Sequence, residues 1–211
     1  MTIPTVRSTP DRSIVVLVSG SGTNLQALID AVADGSMPGV RIAAVGADRQ
    51  ICQGLERARA AGIPTFVCRV KDYSDRAGWD AALTAHVAGY APDLVVLAGF
   101  MKLTGPEFLR RFPGRVVNTH PALSPAFPGM TAPADALAYG VKITGCTLFV
   151  VDDGVDTGPV VAQRAVPVQP GDTADSLHER IKTEERAMLV DTVGAMVRRG
   201  YTITERKVTL T

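Results

Sequence analysis

The stretch IVVLVSGSGTNLQALID, residues 14–30, decides the fold class of this 211-residue chain. Residues 14–18 are all apolar and mostly β-branched, which predicts a strand buried on both faces. The turn that follows contains two glycines, and Thr23 and Asn24 are residues that commonly begin helices. A buried strand that leads through a short turn into a helix is the opening unit of an α/β sheet.

The same alternation continues along the chain. Further buried strands are predicted by the apolar runs at residues 42–47, 65–68, 94–99 and 116–118. Helices are predicted by the amphipathic stretches at residues 24–34, 51–61, 74–89 and 105–111. We therefore expect an α/β fold with an open, mostly parallel, twisted sheet and helices on both of its faces, a Rossmann-like arrangement.

The pattern changes after residue 120, where a proline-rich loop and a short helix precede a strand pair. The pair is formed by TGCTLFVV and GPVVAQRAVPV, and we expect an antiparallel C-terminal part. A long helix at residues 173–199 and a last strand, TITERKVTL, complete the predicted elements. Residues 1–12 are expected to be a flexible N-terminal tail, and residues 13–211 a single domain.

Composition excludes several classes of function. The 22 Lys and Arg residues nearly balance the 21 Asp and Glu residues, and no basic run appears, so we expect no nucleic-acid partner. The three cysteines are widely spaced without a CxxC pair, which argues against a disulfide scaffold and a structural zinc and fits reduced thiols in the cytoplasm. No stretch reaches the roughly 18 apolar residues that a membrane span needs.

Two places carry chemistry that suits the carboxyl edge of such a sheet. The first is the turn SGSGTN, where free amides at a helix N-terminus attract a phosphate. Leu25 replaces the third glycine of a GxGxxG motif and the lysine of a Walker A loop is absent, which weakens NAD and ATP as ligands. A tight turn with ordinary helix capping is the alternative interpretation of this segment.

The second place is RVVNTHP, residues 115–121, where a strand ends on an amide and an imidazole before a proline. Such a pair can stabilise an acyl oxygen that becomes negative, although a histidine that only caps a loop is the alternative. Downstream, VDDGVDTGPVV places Asp152, Asp153 and Asp156 in a glycine-rich turn. A carboxylate there could tune the pKa of the imidazole or hold a catalytic water. The alternative is a solvated turn, since Asp and Gly are common turn residues.

Together these segments carry a family resemblance. The specific stretches are VVLVSGSGTNLQALID, YAPDLVVLAGFMKLTGPEF, GRVVNTHPALSPAFPG and TGCTLFVVDDGVDTGPVVAQ. From about residue 13 to the last helix, the chain resembles the phosphoribosylglycinamide formyltransferase family. The resemblance implies a cytoplasmic enzyme of purine biosynthesis that moves a formyl group from 10-formyltetrahydrofolate to the amine of glycinamide ribonucleotide. It also implies direct amine attack through a tetrahedral intermediate without a metal, small-molecule partners, no membrane association, and compatibility with a homodimer.

Carried over by motif, the resemblance implies a catalytic trio of Asn118, His120 and Asp156. The substrate would be held by Gly22, Thr23, Asn24, Arg76 and Glu185. The folate would be held by Leu97, Phe100, Met101, Lys102, Leu103, Val151, Asp152 and Val155. For the apolar residues of the folate set, ordinary core packing is the alternative. The amide of Asn118 and protonated His120 would donate to the formyl oxygen, and Asp156 would pair with the imidazole and organise a water that relays the proton.

Some positions depart from the family pattern, and other functions compete. Phe149 stands where the family often has a histidine, Lys102 where it has an arginine, and LSPAF replaces the usual LLP segment. A methionyl-tRNA formyltransferase would be expected to append an RNA-binding domain. A formyltetrahydrofolate deformylase would carry an N-terminal regulatory domain and a second histidine at Pro121. A protein that only binds a phosphorylated ligand or a folate is the non-catalytic alternative. His86 and His178 are expected to be structural, away from the strand ends.

Overall fold

The computed structural model describes residues 12–211, and most of the predicted elements are confirmed within them. The strands are β1 (Arg12–Val18), β2 (Val40–Ala47), β3 (Thr65–Val67), β4 (Leu94–Leu97), β5 (Val116–His120), β6 (Ile143–Val150), β7 (Val160–Pro167), β8 (Tyr201–Thr204) and β9 (Lys207–Leu210). The helices are α1 (Thr23–Ala33), α2 (Gln53–Ala60), α3 (Arg76–Ala88), α4 (Pro106–Arg111), α5 (Ala132–Tyr139) and α6 (Ala174–Arg199), with a short 3-10 helix at Val70–Asp72.

Seven strands form one sheet in the order β3-β2-β1-β4-β5-β6-β7. The strands from β3 to β5 pair in parallel, whereas β6 pairs antiparallel with both β5 and β7. The predicted fold class, a mostly parallel open sheet with an antiparallel C-terminal part, is therefore confirmed. The prediction of a single last strand was wrong. The chain turns at Glu205, which has a φ of 56°, and forms the β8-β9 hairpin instead.

Strand β1 shows why both faces of the sheet are covered. Ile14, Val16 and Val18 pack into a core with α1 and α6, and Val15 and Leu17 pack into a second core with α3 and α4. Successive side chains of a strand point to opposite faces, so an unbroken apolar run requires helices on both sides. The helices then place their N-termini, and the loops that precede them, at the carboxyl edge of the sheet.

The strand order reverses at β1, which lies between β2 and β4. The chain leaves β1 for one side of the sheet and later returns to the other, so the loops that follow these strands diverge and leave a crevice. The turn after β1 is tied to the loop after β4, because the amide of Ser19 donates to the carbonyl of Gly99 at 3.1 Å. This edge is where a ligand site is expected.

Residues 1–11 of the predicted N-terminal tail lie outside the described residues, and Arg12 already belongs to β1. We infer a single domain from residue 12 onward, since α6 packs against β1, β2, β6 and β7 and so joins early and late parts of the chain. Among the described residues, no helix is both long enough and apolar enough to cross a membrane.

Candidate active site

A cleft of about 690 Å³ opens at the carboxyl edge of the sheet. Its walls come from the segments that follow β1, β2, β4, β5 and β6, together with one face of α6. A volume of this size falls in the ordinary range for small-molecule sites. Every residue that the sequence predicted for catalysis, substrate or folate lines this cleft, with the exception of Arg76.

The turn after β1 presents free backbone amides to the cleft. Gly22 is the N-cap of α1 with a φ of 68°, and its missing side chain leaves the helix without a side-chain cap. A Cβ added at Gly22 would lie 2.6 Å from the Cα of Gly54, so close packing of the turn on α2 also requires glycine. The first amides of a helix have no partner within it, so those of Thr23 and Asn24 can bind an anion.

Behind this turn, two buried polar side chains join α1 to α6. The side-chain Nδ2 of Asn24 donates to Oε1 of Glu185 at 2.9 Å and lies 3.5 Å from Oγ1 of Thr119. Asn24 and Glu185 are 9% and 6% exposed, and Oδ1 of Asn24 accepts no hydrogen bond from any described residue. The predicted substrate residues are thus already oriented by each other.

Helix α6 adds two residues that the sequence reasoning did not assign to the site. His178 and Lys182 line the cleft beside Glu185. Residues separated by four and then three positions share one face of a helix, and that spacing was a signal present in the sequence. The expectation that His178 lies away from the site was wrong. Burial, followed by the nearby Lys182, lowers the pKa of His178, so it is mainly neutral at pH 7.

Strand β5 ends in the catalytic candidates. Asn118 lies opposite Leu97 of β4 on one side and Phe149 of β6 on the other, which holds its backbone within the sheet. The strand ends at His120, and Pro121 cannot donate a further ladder hydrogen bond. Pairing of β5 with a strand on each side therefore fixes the backbone positions of Asn118 and His120.

The imidazole of His120 is buried and faces two acceptors. Its Nε2 donates to the carbonyl of Phe127 at 2.7 Å, and its Nδ1 lies 3.4 Å from Oδ2 of Asp156. Both ring nitrogens can donate at once only in the protonated imidazole. The predicted pairing of His120 with Asp156 is present as a long contact. Because each ring nitrogen already faces an acceptor, the imidazole in this orientation has no N–H left to donate to the formyl oxygen.

Asp156 reaches the imidazole from the turn after β6. Its φ is 55°, and its Oδ2 also accepts a hydrogen bond from the amide of Gly129 at 2.9 Å. In the same turn, Oδ1 of Asp152 accepts from the hydroxyl of Thr157 and the amide of Gly154, which gives the turn a defined shape. The three catalytic candidates thus come together from β5 and from the turn that follows its neighbour β6.

The end of β4 and the loop that follows it form the apolar wall of the cleft. Leu97 and Phe100 are 4% and 7% exposed, and the ring of Phe100 stacks on Trp79 at 6.4 Å, so these two residues also belong to the core. Met101 and Leu103, by contrast, are 52% and 61% exposed at the mouth of the cleft. Core packing therefore explains the first pair and not the second.

Arg76 is the predicted site residue that the structure does not bring to the cleft. Its guanidinium lies 4.3 Å from the ring centroid of Trp79 and donates to the carbonyl of Leu103 at 2.6 Å. Arg76 thus supports the loop after β4 from outside. The other histidine, His86, stacks on Phe66 at 5.1 Å, in agreement with a structural role.

Comparison with known proteins shows the family to which this chain belongs. A family model described as formyl transferase matches residues 12–193. A phosphoribosylglycinamide formyltransferase of Mycobacterium tuberculosis (strain ATCC 25618 / H37Rv) is 53% identical over 203 residues, which cover 96% of this chain and 93% of that protein. The chain belongs to the phosphoribosylglycinamide formyltransferase family.

Further members of the formyltransferase family agree in sequence and in fold. The phosphoribosylglycinamide formyltransferase of Escherichia coli (strain K12) is 42% identical over 176 residues, 83% of this chain and 82% of that protein. The crystal structure of glycinamide ribonucleotide transformylase 1 from Symbiobacterium toebii has a TM-score of 0.92 at 44% identity and covers 95% of this chain and 94% of its own. The protein is accordingly an enzyme of the transferase class. Among residues 12–211, no group of three His, Cys, Asp or Glu side chains could hold a metal ion.

Proposed function

We propose that this formyltransferase moves the formyl group of 10-formyltetrahydrofolate to the amine of glycinamide ribonucleotide, in the cytoplasm and as a step of de novo purine biosynthesis. One observation carries the proposal: Asn118, His120 and Asp156 line the same cleft as the amides at the start of α1. A phosphate held at those amides would anchor a ligand whose other end reaches the catalytic candidates.

The substrate end of the cleft suits a phosphorylated sugar. The free amides of Thr23 and Asn24 would receive the phosphate, and Gly22 lets a ligand approach the backbone closely. Glu185 and Oδ1 of Asn24 are acceptors that suit ribose hydroxyl groups. Arg76 would contribute only after leaving Trp79, so we assign it a supporting role.

The donor end of the cleft suits a flat ring system. Leu97, Phe100 and Val151 supply an apolar wall, and Met101, Leu103 and Val155 remain exposed at its edge. Asp152 and the backbone groups of its turn offer hydrogen bonds to the polar edge of a pterin. Lys102 lies at the rim, where it can approach an anionic part of the ligand.

The chemistry requires a donor for the formyl oxygen and a path for one proton. The neutral amine attacks the formyl carbon, the oxygen becomes negative in a tetrahedral intermediate, and the folate nitrogen leaves with a proton. The side-chain amide of Asn118 lines the cleft and would be that donor, and one such donor contributes about 3–4 kcal/mol. His120, held by Phe127 and Asp156, would act through its charge. Asp156 would accept the proton from the amine through a water and return it through that water to the departing folate nitrogen.

A formyl-transfer assay tests the proposal. The purified chain is mixed with 10-formyl-5,8-dideazafolate and glycinamide ribonucleotide without added metal or nucleotide, and formylated product is measured. We expect release of the formyl group only when the ribonucleotide is present. Equal release without it would instead identify a deformylase, and binding of both ligands without product would identify a non-catalytic protein. Formylation of methionyl-tRNA in its place would support the remaining alternative.

A further inference from the structure

A buried carboxylate lies beside the cleft and has no role in the proposal so far. Asp48 follows directly after β2, and its side chain is only 2% exposed. Its Oδ1 accepts no hydrogen bond from any of the residues that the structure describes. An ionised carboxylate is costly to remove from water unless opposite charges compensate it.

Two cations provide that compensation from the cleft side. Nε of Arg49 lies 3.8 Å from Oδ1 of Asp48, and Nζ of Lys102 lies 3.7 Å from Oδ2. Both distances are too long for hydrogen bonds, so charge attraction holds these side chains while their N–H groups stay available. Arg49 and Lys102 are 59% and 37% exposed, and both line the cleft.

The topology places the two cations on opposite sides of the glycine turn after β1. Arg49 follows β2 and Lys102 follows β4, and β1 with its glycine turn lies between those strands. The backbone on each side of Lys102 is already fixed, because the amide of Met101 donates to Oγ of Ser19 at 2.8 Å and the carbonyl of Leu103 accepts from Arg76. Asp48 then directs the side chain of Lys102, whose Nζ it attracts.

We propose that Asp48 is a positioning residue that holds Arg49 and Lys102 as a two-cation site for an anionic group of a bound ligand. The chemistry of that group is an oxyanion, either a phosphate or a carboxylate. Both co-substrates of the proposed function carry one: the ribonucleotide has its phosphate and the folate has the carboxylates of its glutamyl tail. The inference rests on that proposed function for the identity of the ligands.

The test is Asp48→Asn in the full chain, with kcat and KM measured for each substrate. Two donors are compared: 10-formyl-5,8-dideazafolate and its glutamate diamide, which has no negative charge. Loss of about 1 kcal/mol of charge attraction corresponds to a rise in KM of about fivefold, with kcat within about twofold. Lys102→Met should give the same pattern, and the double variant should show little further increase.

The arms of the experiment separate the two ligands. If the carboxylates are bound, KM rises for the charged donor and stays unchanged for the diamide. If the phosphate is bound, KM for glycinamide ribonucleotide rises with either donor. Unchanged KM values in Asp48→Asn, or a fall in kcat alone, would overturn the inference. Arg49→Met and Lys102→Met carry the same test if Asp48→Asn does not fold.

A matched control lies at the opposite edge of the sheet. Asp93 pairs with Arg12 at 2.8 Å beside the amino ends of β4 and β1, so Asp93→Asn should lower stability and leave every KM unchanged. Calorimetric binding of each ligand to each variant gives a readout that does not need turnover. A wild-type chain without formyl transfer would refute the proposed function, whereas an active wild type with an unaffected Asp48→Asn would refute this inference alone.

Discussion

Replacement of Asp156 by Asn tests the chemistry most directly. The side chain is 13% exposed, and its Oδ2 lies 3.4 Å from Nδ1 of His120 and 2.9 Å from the amide of Gly129. Asn keeps the shape and can still accept from Gly129 through its amide oxygen. The substitution therefore removes the negative charge and the proton-accepting ability while the turn after β6 is retained.

The magnitude follows from the distance. A protonated imidazole and an ionised carboxylate 3.4 Å apart attract by about 5 kcal/mol at an effective dielectric of about 20, which is an upper limit for what the charge of Asp156 contributes. Loss of a positioned acid or base costs about 10²–10⁴ in rate, or about 3–5 kcal/mol, which agrees with that limit. We expect kcat of Asp156→Asn to fall by this factor, while KM for the ribonucleotide changes by less than about threefold.

The assay is the steady-state transfer of formyl from 10-formyl-5,8-dideazafolate to glycinamide ribonucleotide. The control is Asp191→Asn, which removes the same charge from a side chain on α6 that is 69% exposed and paired with Arg164 of β7. Thermal unfolding of both variants shows whether the fold is intact. A kcat within threefold of wild type in a folded Asp156→Asn protein would refute the role assigned to this carboxylate.

Three further predictions concern the cleft and its support. Asn118→Ala should lower kcat by about 10²–10³ with little change in unfolding temperature, because it removes the free donor for the formyl oxygen; an unchanged kcat would contradict that role. Gly22→Ala should weaken ribonucleotide binding and also destabilise the chain, since the new Cβ would meet Gly54 at 2.6 Å, and calorimetry with urea unfolding measures both effects. Asp80→Ala should lower the free energy of unfolding by about 2–4 kcal/mol, because the buried carboxylate accepts two 2.9 Å hydrogen bonds near the start of α4. The control is Asp75→Ala, which removes an exposed helix cap and should lower the free energy of unfolding by about 1 kcal/mol. Equal losses of stability in the two variants would show that burial of the Asp80 carboxylate adds nothing.

The sequence was sufficient where local pattern and tertiary structure agree. Buried parallel strands must be apolar on both faces, so β1, β2 and β4 were recognisable from their unbroken apolar runs. The end of β5 at His120 followed from Pro121, which cannot extend a ladder. The resemblance then supplied residues that no local pattern identifies, such as Glu185 in the middle of a long helix.

The remainder depended on contacts between distant segments. The carbonyl of Phe127 occupies one nitrogen of His120, and only the path of the loop after β5 determines that contact. Arg76 was expected at the substrate, but stacking on Trp79 turns it away from the cleft. The spacing of His178, Lys182 and Glu185 shows that they share one face of α6, but only the register of α6 against the sheet decides that this face meets the cleft. Such pairings are long-range and leave little trace in a local sequence window.

The late position of α6 has a consequence for synthesis of the chain. This helix covers the sheet face that contains Ile14, Val16 and Val96, yet it comes after all seven strands of the main sheet. A growing polypeptide on the ribosome therefore exposes that apolar face until α6 has emerged, and Glu185 joins Asn24 only then. We expect nascent chains arrested before residue 174 to aggregate and to bind holdase chaperones. Both tendencies should disappear once the last helix has been released from the ribosome.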